Sequence, residues 1–97
     1  MSKTYRTFPL DIDLINQGIQ EGKETGEGIR SRIDQTVDNL VSRGFEAAKG
    51  TNTEKGYPGE ILVGGTSDPQ VRAGLKEAVR KNGLGDYILP DRKTYTR

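Results

Sequence analysis

Arg72, Lys76 and Arg80 stand four residues apart, with Lys81 beside the last of them. On a helix this spacing lines three cations along one face. Such a row faces phosphates or carboxylates, so Arg72, Lys76, Arg80 and Lys81 are the candidate nucleic-acid contacts. The chain contains no histidine and no cysteine. Nucleophile–histidine dyads and histidine or thiolate metal sites are therefore outside its chemistry. Carboxylate pairs such as Asp11/Asp13 and Glu24/Glu27 lie in polar segments. Those segments lack the apolar surroundings that lift a carboxyl group into a working range. The residues thus read as those of a protein that is not an enzyme, with no catalytic residue, no metal and no cofactor.

The stretch "ILVGGTSDPQV", residues 61–71, has the strand, glycine turn and helix start that cradle phosphate in many nucleotide-binding proteins. It lacks the Lys-Ser/Thr ending of a P-loop and the G-x-G-x-x-G spacing of a dinucleotide turn. Asp68 sets a carboxylate where an anion would sit, and Pro69 removes a helix donor. Asp68 is read instead as the N-cap of the following helix, with Pro69 at its first position. No small-molecule ligand is expected.

These residues need elements to hold them. Val71, Leu75, Ala78 and Val79 give the helix at about 69–82 an apolar face, and Asn82-Gly83 stops it. Glu60–Val63 and "DYIL", 86–89, read as strands on either side, a β-α-β unit over residues 61–89. Two parallel strands do not make a stable sheet, so a third must come from the N-terminal arm or another chain. Upstream, Asp11 suits a helix N-cap, and Ile12, Ile15, Ile19, Ile29, Ile33 and Leu40 recur at helical spacing. Gly18, Gly22, Gly26 and Gly28 interrupt that seam. The spacing predicts two helices, about 11–22 and 31–48, with Ser31 and Asp34 opening the second; the alternative is one long helix. Residues 49–60 read as a loop. The fold class is α+β: an N-terminal helical hairpin, then the β-α-β unit, with extended arms at residues 1–10 and 90–97.

With 97 residues, 31% hydrophobic and 30% charged, the chain is one small domain with a modest core. A protein partner or self-association is expected to complete it. The arms hold Tyr5, Arg6 and Phe8 at one end and Lys93, Tyr95 and Arg97 at the other. Aromatic and arginine side chains are enriched among interface anchors, so these six are the protein-interaction candidates. The net charge of +1 supplies no strong field toward nucleic acid or lipid. No apolar run reaches the length of a signal peptide core or a membrane span. The expected location is cytoplasmic, or within an intracellularly assembled particle.

An arm, a helix, a turn near "ETG" and a second helix opening at "RSRID" resemble the ribbon-helix-helix order of DNA-binding proteins over residues 3–48. That resemblance implies DNA binding. It departs from the family at Thr4 and Arg6, which share the phase of Phe8 where apolar residues would pack inward. The leading expectation is a non-enzymatic assembly subunit of a virion or similar particle. DNA binding is the alternative, and a small inhibitor of one protein target is the second.

Overall fold

The computed structural model describes residues 4–54, 56–64, 68–88 and 93–96; at 4–6, 68 and 93–96 it describes the backbone. The elements in order are β1 (Thr4–Pro9), α1 (Ile12–Gln20), α2 (Gly26–Ser42), β2 (Glu46–Lys49), β3 (Glu60–Gly64), α3 (Asp68–Lys81), a 3-10 turn at Gly85–Tyr87 and β4 (Lys93–Thr96). The strands form one sheet in the order β2-β3-β1-β4, and every neighbouring pair is antiparallel.

It follows that β3 and β4 run parallel with β1 between them, and that β1 and β2 run parallel with β3 between them. Two split β-α-β units interlock, one crossing over through α1 and α2 and the other through α3. This is the ferredoxin-like arrangement. The chain is α+β, with the helical hairpin and a β-α-β unit in the expected order.

The second strand of that unit differs from the sequence expectation. Residues 86–88 do not form it, and Leu89 lies outside the described residues. Gly85–Tyr87 is a 3-10 turn, and Ile88 makes a single bridge to Leu10. The strand is Lys93–Thr96, in the segment read as a tail. The N-terminal arm supplies the missing third strand, as an interior strand and not an edge. Tyr5 pairs with Gly64 on one side and Tyr95 on the other; Thr7 pairs with Leu62 and Lys93. Both arms are extended, and they are paired within one sheet.

The hairpin breaks where the glycines gather. Asp11 caps α1, its side chain accepting from the Leu14 amide at 3.2 Å. The second cap is Thr25, not Ser31: its hydroxyl accepts from the Gly28 amide at 2.9 Å. Thr25 has extended backbone, and the glycines at 26 and 28 fall in the first turn of α2, near the end of the helix. The far end of α2 also differs, stopping at Ser42 rather than 48. Gly44 takes φ +92°, the Gly44 amide donates to Val41 O at 3.0 Å and the Phe45 amide to Leu40 O at 3.0 Å. This Schellman closure turns the chain into β2. Asn82-Gly83-Leu84 ends α3 in the same way, with the Leu84 amide donating to Val79 O at 2.9 Å.

One core lies between the helices and one sheet face. Phe8, Ile61 and Val63 meet Ile15 of α1, Ile29, Ile33, Val37 and Leu40 of α2, and Val71, Leu75, Ala78 and Val79 of α3. Val41, beside the seam of α2, is 52% exposed instead. The predicted loop at 49–60 sends Tyr57 into this core, where its hydroxyl donates to Asn16 Oδ1 at 2.7 Å.

Candidate functional site

The apolar face of α3 covers β3, and its cationic row leaves along one flank. Arg72, Lys76 and Arg80 are all exposed. Eight residues of helix carry the row over about 12 Å. Beneath it, Leu75 and Val79 continue downward to Phe8 on β1, and Ile88 closes the far side. Together with Gly85 and Asp86 these residues line a groove of about 610 Å³. Its floor is apolar, and the rest of its lining carries three cations and a single carboxylate, Asp86.

The groove brings together residues that the sequence reading assigned to different roles. Phe8 was a protein-interaction candidate in an arm, and Arg72, Lys76 and Arg80 were candidates for nucleic acid. Lys81 is exposed in the last turn of α3 and does not line the groove. Arg72 has an interaction within the chain, so Lys76 and Arg80 carry most of the charge that the groove can offer a ligand.

The remaining candidates lie elsewhere. Tyr5 and Tyr95 are direct partners in the β1–β4 ladder, Lys93 pairs with Thr7, and Arg6 pairs with Val63 and Thr94. Paired residues share a face and faces alternate along a strand. The positions of Tyr5, Tyr95 and Lys93 therefore belong to the sheet face opposite Phe8, while Arg6 shares the parity of Phe8. Asp68 opens α3, but its side chain and the preceding Gly65–Ser67 lie outside the described residues, as does Arg97.

A second, smaller cleft of about 320 Å³ lies between the end of α2 and the start of α3. There Arg43 donates to Glu77 at 3.1 Å, so its charges are matched. The Phe45 ring packs against Gly74 so closely that a Cβ there would stand 2.5 Å from its Cζ.

The main polar cluster is structural in its connections. Arg32 of α2 forms an ion pair with Glu24, in the turn before it, and donates to Gly83 O at 3.1 Å. Burial would raise the Glu24 carboxyl, but hydrogen bonds from Tyr87 and Arg32 and the Arg32 charge outweigh it and hold the group below its ordinary value. The same bond to Glu24, followed by burial, pushes the Tyr87 phenol up. Burial likewise raises the phenol of Tyr57. Among the described residues there is no cluster of carboxylates arranged to hold a metal ion, and no helix is long and apolar enough to cross a membrane.

No protein-family model matches the chain, and no curated protein is significantly similar to it in sequence.

Little in the sequence pointed to the groove. Phe8 and the α3 row are more than 60 residues apart, and only the insertion of β1 between β3 and β4 places them side by side. The available signal was the amphipathic boundary of α3, where Leu75 and Val79 each adjoin a cation in sequence.

Proposed function

We propose that this is a non-enzymatic interaction protein, a small assembly subunit that joins a larger protein complex through the groove between α3 and β1. One observation carries the reading: an apolar floor and a cationic row line the same cleft. Apolar area supplies attraction without direction, and the flanking charges set orientation and partner choice. The polar groups of the groove are three cations and one carboxylate, with no nucleophile beside a base. That set suits binding, and the chain has no histidine or cysteine to extend it. A particle such as a virion remains the setting proposed for such a subunit. The N-terminal arm enters this reading as β1, whose Phe8 lies in the groove floor, and the C-terminal arm as β4, which pairs with β1.

The test is a Lys76→Glu/Arg80→Glu variant made in the full chain. Both positions are exposed on α3, so the melting midpoint should stay close to that of the wild type. Co-purification from the native source should yield a stoichiometric protein partner with the wild type and lose it with the variant. Normal incorporation of the variant would refute the reading. The cationic row also supports nucleic-acid binding as a second reading. Steeply salt-dependent DNA binding that the variant loses, with protein incorporation intact, would establish that instead.

A further inference from the structure

The groove reading leaves open what chemistry fills the groove, and three features of the site bear on that question. Lys76 and Arg80 are separated by one helical turn on α3, and neither has an ion pair among the described residues. Phe8, Leu75, Val79 and Ile88 are the apolar residues of the same lining, the first three with only an edge exposed. Asp86 also lines the groove.

Resting on the function proposed above, we infer that the occupant is an acidic amphipathic helix of a partner protein, lying along α3. A helix beside α3 repeats with the same four-residue step. Carboxylates at that spacing on the docked helix would therefore fall opposite Lys76 and Arg80 in succession. Its apolar stripe would cover the floor, the mode in which amphipathic helices enter grooves. A phosphate backbone fits less well. It would leave the apolar floor without a matching surface and bring Asp86 against like charge. The net charge of +1 also gives nucleic acid little long-range attraction. Asp86 instead suits a lysine, arginine or free amide at the edge of the docked helix.

The probe is a fluorescent peptide of about 15 residues, long enough to hold helix when docked. It carries leucines at helical spacing and glutamates at four-residue steps beside them. Anisotropy titrations should show saturable binding to the wild-type chain. Lys76→Gln/Arg80→Gln, which removes the charges without reversing them, should weaken it at least about tenfold. A peptide with lysine in place of each glutamate should not bind, nor should one with serine in place of each leucine.

Four results would overturn the inference. The acidic peptide fails to bind, or binds equally well to the variant. Duplex or single-stranded DNA of similar length could displace it and bind more tightly, which would identify phosphate as the ligand. The wild-type chain alone could form a dimer that Lys76→Gln/Arg80→Gln dissolves in sedimentation, which would make a second copy the occupant. If the peptide fails while Lys76→Glu/Arg80→Glu still abolishes entry into the native complex, the partner chemistry is wrong and the groove remains the docking surface. Normal entry of that variant removes the groove reading itself.

Discussion

Arg32 holds Glu24 with one guanidinium nitrogen and the carbonyl of Gly83 with another, so a single side chain of α2 ties the α1–α2 turn to the end of α3. Tyr87 completes the cluster from the 3-10 turn. Two stretches distant in sequence, 24–32 and 83–87, meet there, beside the groove residues Gly85 and Asp86.

Arg32→Met should therefore destabilise the chain by about 1–3 kcal/mol, because it leaves a mostly buried carboxylate without its strongest partner. Replacing Glu24 as well, by Gln, should recover part of the loss. Denaturant unfolding of the two single variants and the double variant measures the coupling.

Acid should weaken the same cluster. The folded Glu24 carboxyl lies below its unfolded value, so its stabilising contribution is complete above the unfolded value. It is lost as pH falls through the folded one, which lies below the ordinary glutamate value. The stability gap between the wild type and Glu24→Gln should narrow as the solution is acidified. A gap unchanged between neutral pH and about pH 3 would show that the carboxylate form is not what the cluster stabilises.

Thr25→Ala and Asp11→Ala each remove a helix cap and should cost about 0.5–2 kcal/mol. The Thr25 variant should also loosen the α1–α2 turn, since the Gly28 amide loses its acceptor. Hydrogen exchange at Gly28 reads that local effect apart from global unfolding.

Gly74→Ala should destabilise by about 1–3 kcal/mol although alanine is the better helix former, because its methyl group would meet the Phe45 ring. Phe45→Leu in the same chain should relieve the clash. If Gly74→Ala raises the melting midpoint, the ring has room to move and α2 and α3 are less tightly joined than described.

Removing residues 93–97 should lower the melting midpoint and promote self-association, since β1 would become an unprotected edge. Thermal melts and sedimentation test this together. A truncated chain as stable as the full one would show that the β1–β4 pairing contributes little.

Local signals were legible where one residue type decides the geometry. Asp11 as a cap, Val71, Leu75, Ala78 and Val79 as a buried face, and Asn82-Gly83 as a stop all stand as the sequence implied. The glycine-rich break between the first two helices was legible too, but its cap was misplaced at Ser31. Gly44 followed by Phe45 has the form of a helix end, yet the helix-favouring residues Glu46, Ala47 and Ala48 read as a continuation. Their strand conformation comes from pairing with Gly64, Val63 and Leu62, a tertiary influence that propensity does not contain. The same holds for "KTYT", whose alternation is visible but whose charged setting suggested a tail. The groove depended on β1 pairing with β3, a contact more than 50 residues apart in sequence, so it was the least legible feature.

The central position of β1 also sets an order of events. Its residues precede both of its partners, which lie at 60–64 and 93–96. The helical hairpin is contiguous in sequence and can begin to form early, while β1 waits for residues 60–64 and 93–96 to leave the ribosome. Such long-range closure is the slow part of folding. The groove proposed above as a docking surface draws on Phe8 at one end of this span and on Asp86 and Ile88 at the other, so it is complete only once both have emerged.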